Sequence, residues 1–293
     1  MTDPNRSTSI FLFVILTLIW GTSFILIKQG LKVFSPDELG ALRVVAASLF
    51  LLPVALSKLR EVQSHHWWKL FASGMMGIFI PAFLFAAAQT RMDSSVAGII
   101  NTMTPIFTMI ISVFVFNQRF RAITIVGIIL AFAGATLLSL SRSGGTISGI
   151  NLYALFIVAA CALYGSNLNF IKFKIPDLGA LTITSVSVLL IAPLGFIYLF
   201  GFTDFIPTLT HTPGAWKAFG FILILACMST AVATILFNQL VKISTPLFAS
   251  SVTYVMPIVA VMWGLLDGEQ LAIGHYVGMV AIIGGVYLAN KKR

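Results

Sequence analysis

Ten stretches of this chain are apolar over roughly the length a helix needs to cross a bilayer: about 9–28, 37–57, 68–89, 95–116, 122–141, 150–172, 179–201, 216–240, 247–266 and 273–290. That pattern excludes most folds. In hydrocarbon every backbone N–H and C=O must find its partner inside the protein, so such a chain reads as an all-α bundle of membrane helices. Hydrophobic residues make up 58% of the 293 positions and charged residues only 9%, whereas a soluble domain carries about a quarter charged residues. The connections are short. The longest, near 202–215, contains Pro207 and Pro213 and reads as an ordered surface loop, leaving no room for a separate soluble domain.

The chain also repeats itself. IWGTSFILIK at 19–28 lies over LYGSNLNFIK at 163–172 with an offset of 144, which matches Trp20 with Tyr164, Gly21 with Gly165 and Lys28 with Lys172. Pro36-Asp37 opens the second segment and Pro53 ends its apolar run, as Pro176-Asp177 and Pro193 do for the seventh. Pro105 in NTMTPIFT lies over Pro257 in TYVMPIVA, and Gly127 and Gly134 lie over Gly278 and Gly285. Four matches in one order divide the chain into two five-helix halves, 1–145 and 146–293. An odd number of spans per half inverts the second half relative to the first. Of the 18 Lys and Arg residues, twelve fall on the side of both termini and six on the other, which places the termini in the cytoplasm. Equivalent connections reverse their charge, from FNQRFR after the fourth segment to LDGEQL after the ninth. The expected architecture is ten transmembrane helices as two inverted repeats around a central cavity.

Several function classes are excluded. The net charge of +9 comes from scattered single residues rather than from a nucleic-acid-binding patch. Cys161 and Cys227 sit inside apolar segments without metal-ligand spacing, and MTDPNRSTS precedes no small-residue cleavage site, so the first segment reads as a retained helix. His65, His66, His211 and His275 lie in connections or at a span edge; H-E-x-x-H and G-x-x-x-x-G-K-[ST] are both missing. Neither an intramembrane enzyme nor an ATPase is expected, and no cofactor or metal. A channel would need a continuous polar pore. Here the polar residues gather at mid-depth instead, as one occluded site requires; no oligomer is needed to build it.

Polar side chains within a span are the candidates for that site. Asn101, Thr104, Pro105, Thr108 and Ser112 share one helix face, and Thr230, Thr234 and Asn238 form a second stripe at spacing four. The first and sixth segments add Trp20 and Ser23, and Tyr164, Asn167 and Asn169. Phe83 and Tyr254 are weaker additions on the same logic. The expected substrate-contacting set is therefore Trp20, Ser23, Phe83, Asn101, Thr104, Tyr164, Asn167, Thr234, Asn238 and Tyr254. The competing reading of Ser and Thr is that they bond their own helix. Aromatics beside amides suit a zwitterionic or partly apolar metabolite. Arg43, about a third of the way into its segment, reads as a structural partner or gate charge unless the substrate carries a carboxylate. The four glycines at seven-residue spacing read as close helix packing, and Lys28 and Lys172 as snorkelling cations.

The W-G-T/S start, Arg43, the N-x-x-x-P of 101–105 and the GEQL…G…GG ending resemble the EamA branch of the drug/metabolite transporter superfamily over 9–290. Gln118 departs from that pattern, where an acidic residue is usual; its counterpart in the second half is Glu269. The resemblance implies a multi-pass protein of the bacterial inner membrane that exports or exchanges small metabolites. Amino acids are among them, as in exporters of the YddG type. A channel-like protein, or a drug or nucleoside carrier with proton coupling, is the alternative. Every acidic residue lies at a span boundary or in a connection. Proton-driven carriers commonly hold a carboxylate or histidine at mid-membrane, so facilitated transport is the expectation from the residues themselves.

Overall fold

The computed structural model describes residues 4–91, 94–142, 152–266 and 273–290. Asp3, Asp93, the 267–270 connection with Glu269, the boundary at 145/146 and the basic terminus Lys291–Arg293 lie outside the described residues. No strand occurs among those described. The helices are α1 (Pro4–Gly30), α2 (Pro36–Lys58), α3 (Ser64–Gln89), α4 (Ser94–Asn101 and Thr104–Phe114) and α5 (Ala122–Arg142). They continue with α6 (Ala154–Lys174), α7 (Ala180–Gly201), α8 (Ala215–Ile243), α9 (Pro246–Ser250 and Val252–Leu266) and α10 (Ile273–Ala289). Among the described residues, seven helices are long and apolar enough to cross a membrane, and three shorter apolar helices lie within α5, α9 and α10.

Local chemistry sets the boundaries. At the start of α2 the Ser35 hydroxyl accepts from Glu38 N at 3.2 Å, while the Glu38 carboxylate accepts from Ser35 N at 2.7 Å. This reciprocal cap, with Pro36 at the first position and acids in the first turn, satisfies N–H groups that otherwise lack helical partners. Pro53 and Pro193 were expected to end apolar runs; both lie inside continuous helices that reach Lys58 and Gly201. A membrane helix tolerates proline where neighbouring groups take up the freed backbone. The 202–215 connection also differs from a plain loop. It contains a helix, Phe205–His211, whose Phe205 and Leu209 are buried one turn apart, and Thr208 donates to Glu38 at 2.9 Å. Pro207 sits in its first turn, where a missing N–H leaves no bond broken.

Two helices contain π-helical turns, Met75–Phe79 in α3 and Leu225–Val232 in α8. Two others are broken, α4 at Thr102-Met103 and α9 at Ser251. Where α4 resumes, Pro105 occupies the second position, so its absent N–H is again harmless.

The burial pattern is inside-out by aqueous standards. α10 buries Gly278 and Gly285 while exposing Ile273, Val277, Val280, Ile283 and Tyr287. In water so large an apolar face would aggregate; against lipid tails it is matched. Helix association in lipid then rests on close van der Waals contact. α5 and α10 run antiparallel at glycine distance. A Cβ on Gly127 would meet Gly285 O at 2.7 Å and Ala289 N at 2.3 Å; a Cβ on Gly134 would meet Gly278 O at 2.9 Å. α1 approaches α9, and α6 approaches α4, in the same manner: a Cβ on Gly21 would meet Val259 at 2.7 Å, and one on Gly165 would meet Thr108 N at 2.8 Å.

Adjacent glycines on α10 test this packing. Gly285→Ala places a methyl group 2.4 Å from Ala131 N, whereas nothing lies within 4 Å of a Cβ on Gly284. We expect Gly285→Ala to destabilise the protein by about 1–3 kcal/mol, the usual scale of overpacking. Gly284→Ala should be neutral or slightly stabilising through helix propensity. Thermal melts of the two variants in detergent check the contrast; equal melting temperatures would contradict it.

Candidate functional site

A cavity of about 110 Å³ lies between α1, α2, α3, α4, α6, α8 and α9. A single ordered water needs about 10–15 Å³ on this measure, so the space takes several waters or part of a small solute. The two π-helical turns face into it, one through Gly77 and Ile78, the other through Ser229 and Thr230. A π turn interrupts the i→i−4 ladder and is frequent at functional sites. Within the second of these turns Ser229 O accepts from the Trp20 indole N–H at 3.0 Å, and the Ser23 and Ser229 hydroxyls stand 2.8 Å apart. Trp20 also meets Phe237 edge to face at 4.7 Å between centroids. The central tryptophan is thereby held by both a polar and an aromatic contact.

The amides are anchored at one end. Ser73 donates to Asn167 Oδ1 at 2.7 Å, and the Asn167 amide nitrogen sits 2.2 Å from where a Cβ on Gly77 would be, so only glycine admits it. Asn238 Nδ2 donates to Thr184 Oγ1 at 2.8 Å; Thr104 Oγ1 donates to the backbone carbonyl of Asn101 at 2.8 Å and reaches the Asn101 amide oxygen only at 3.4 Å. Arg43 Nε donates to Thr230 Oγ1 at 2.6 Å. Aromatic rings close the remainder: Phe85 lies 6.4 Å from Phe24 and 6.1 Å from Tyr164. The lining is mainly apolar with a few fixed polar groups, which is the usual make-up of a small-molecule site. Among the described residues no carboxylate or histidine lines it.

Of the ten residues expected at the site, Trp20, Ser23, Asn101, Thr104, Tyr164, Asn167, Thr234 and Asn238 line the cavity. Phe83 and Tyr254 lie elsewhere. Phe83 packs against Phe79, Tyr198 and Gly40. Tyr254 is fully buried beside Ile128, Leu138 and Ile282 of α5 and α10, and its hydroxyl has no partner among the described residues. Asn169 is structural: it accepts from Ser112 at 2.5 Å and donates to Thr108 O and Gly165 O, fastening α4 to α6. The sequence pattern did not single out Ser229, Thr253, Phe24, Phe85, Phe237 or Met256, and Arg43, read as a structural partner or gate charge, also lines the cavity. The only sequence signal for Ser229 is its place beside the Thr230 stripe.

Towards the end carrying the 2–3, 6–7 and 8–9 connections, polar contacts close the bundle. Lys172 Nζ donates to the carbonyls of Val241, Lys242 and Ser244 at 3.1, 2.8 and 2.7 Å, neutralising the carbonyl end of α8. Lys242 Nζ donates to Ile175 O and Pro176 O, and His66 Nε2 lies 2.6 Å from Asp177 Oδ2. Gln63 N donates to His66 Nδ1 at 3.1 Å, so Nε2 carries the proton and donates to the carboxylate. Partial desolvation pushes the Asp177 carboxyl up, but its own backbone N–H, the His66 bond and the nearby imidazoles outweigh this and hold it below the usual carboxylate range. Lys28, the sequence counterpart of Lys172, makes no bond to a described residue.

The sequence of the EamA-like transporter family matches residues 7–140 and again residues 151–291, and the chain belongs to that family. It is 28% identical to an uncharacterized transporter of Archaeoglobus fulgidus, covering 94% of this chain and 95% of that one. It is 26% identical to the uncharacterized inner membrane transporter YedA of Escherichia coli, covering 94% and 88%. A protein of known crystal structure superposes with a TM-score of 0.75 over 97% of this chain and 96% of its own, at 17% identity, which establishes a shared fold.

The two neighbouring asparagines of α6 separate structure from site. Asn169→Leu removes two interhelical bonds and Asn167→Leu one. Such bonds average about 0.6 kcal/mol each in a membrane bundle. Asn169→Leu should therefore lower the melting temperature clearly more than Asn167→Leu, a contrast that a thermal unfolding series reads directly.

Proposed function

We propose that this transporter is a ten-span carrier that exports small metabolites, amino acids or related compounds, across the inner (plasma) membrane by alternating access. Its halves, 1–145 and 146–293, are inverted repeats, and both termini are cytoplasmic. The observation that carries the reading is the cavity, lined from both halves by anchored amides, hydroxyls and aromatic rings.

The glycine contacts support the inversion. Offsets of 151 and 152 relate Gly127 to Gly278, Gly134 to Gly285 and Phe107 to Val259. A two-fold axis with that correspondence turns the Gly127–Gly285 approach into the Gly278–Gly134 approach, and both are present. It likewise turns the contact of Gly21 with Val259 into that of Gly165 with Phe107, and both are present. The family's two matched ranges, 7–140 and 151–291, support a division of the chain between them. Residues α10 Ile273–Ala289 rise about 25 Å at 1.5 Å per residue, close to the hydrocarbon thickness.

Alternating access needs two arrangements of similar energy, related by exchanging the roles of the halves. The lysine pair supplies a visible asymmetry of that kind, with Lys172 bonded to three carbonyls and Lys28 to none among the described residues. In this reading the cytoplasmic end is the closed one.

The five described carboxylates, Asp37, Glu38, Glu61, Asp177 and Asp204, all lie away from the cavity, which supports transport down the substrate's own gradient. The test uses proteoliposomes with the same amino-acid mixture at equal concentration on both sides, radiolabelled on the outside only, and an imposed pH difference. Exchange of label without net accumulation is expected, and Asn167→Leu and Asn238→Leu should slow it while leaving the folded protein in the membrane. Accumulation against the gradient would overturn the uncoupled mechanism. Absence of any label exchange would overturn the amino-acid reading.

A further inference from the structure

Among the described residues the cavity contains one formal charge, and that charge has no counter-ion. Arg43 projects from the outer part of α2 between the two π-helical turns, and its Nε is fixed by Thr230. No carboxylate of a described residue lies within ion-pair distance of it, and its two terminal nitrogens make no hydrogen bond among the described residues. An ionised group inside a membrane span normally pairs with another or with backbone carbonyls. A guanidinium held through Nε alone presents its Nη1–Nη2 edge as a free fork, the geometry that takes a carboxylate bidentately.

We propose that Arg43 is the receptor for a substrate carboxylate, and that the carrier's substrates are small carboxylates with an apolar body. The inference rests on the transporter reading above and narrows it. Trp20, Phe24, Phe85 and Phe237 supply an apolar wall for the body of such a molecule. The cavity offers no carboxylate to an ammonium group, so the amino group of an amino acid contributes little beyond contacts with amide oxygens and ring faces. The carboxylate is the required part of the substrate; the ammonium is dispensable. Thr230 is the positioning residue: it orients the fork, and its own place is fixed by the π-helical turn that carries it.

The test is binding to the purified full-length protein in nanodiscs, using two carbon skeletons, each as acid, amino acid, amide and amine. The probes are 3-phenylpropionate, phenylalanine, 3-phenylpropionamide and phenethylamine, with the corresponding leucine series. Acids and amino acids should bind with similar affinity, and amides and amines at least about tenfold more weakly. Arg43→Gln should weaken the acids about 30-fold or more, the scale for removing one partner of a buried charge pair, and should leave the amides unchanged. Arg43→Lys keeps the charge without the fork and should fall between. Thr230→Val should cause a smaller loss with Arg43 intact. If Arg43→Gln does not yield folded protein, the acid-to-amide ratio of the wild type, Arg43→Lys and Thr230→Val decides the matter. Amides or amines that bind as well as acids, or acids indifferent to the Arg43 variants, would overturn the assignment and leave the transporter standing. If no probe of either series bound or crossed the membrane, the small-metabolite reading would fall as well.

Discussion

A polar group inside hydrocarbon has no water to fall back on, and the arrangement of this bundle follows from where its polar groups go. The Thr and Asn stripes of α4 and α8 turn inward, because outward they would face lipid tails. Once turned inward they cannot all pair with one another. Some bond across helices, as Asn169 does with Ser112 and Thr108 O, and fasten the bundle. Others are anchored at one end only, as Asn167 is by Ser73 and Arg43 by Thr230, and leave capacity facing a shared space. The cavity is the place where satisfaction within the chain is incomplete.

The backbone follows the same constraint. The π-helical turns in α3 and α8 and the breaks in α4 and α9 lie beside that space, where irregular backbone can be met by side chains such as the Trp20 indole. Away from it, glycine brings helices together where lipid provides no hydrophobic drive, and the α5–α10 contact is the closest of these. Many of the large apolar side chains face outward. On the proposed reading, the rigid glycine-packed pairs move as units around a site whose own groups stay fixed.

Much of this is legible in the sequence because periodicity in a membrane helix records which face avoids lipid. The apolar helices, the close packing at the four glycines and eight cavity residues all come from that record. Phe83 and Tyr254 are misplaced where the record is thin. α3 has few polar residues to fix its phase, and its cavity face passes through Gly77, Ile78 and Phe85, leaving Phe83 on the far side. In α9 the break at Ser251 sets the phase, so Thr253 lines the cavity and its neighbour Tyr254 fills the crevice against α5 and α10. The π-helical turns have no residue signature, and Ser229 enters the site through one of them. The Phe205–His211 helix escapes notice because Pro207 and the following Pro213 suggest a loop, although Pro207 sits where a helix accepts it.

The central claim is that two related halves cross the membrane in opposite directions, and one measurement tests it most directly. Gln63 and Asp204 are exposed residues in the equivalent connections after α2 and α7. Single cysteines at these two positions, with Cys161 and Cys227 replaced by alanine, would be probed in intact cells with a membrane-impermeant thiol reagent. The account predicts that Asp204→Cys is labelled from outside and that Gln63→Cys is labelled only after the membrane is opened. Labelling of both from the same side would contradict the inverted repeat and the carrier built upon it.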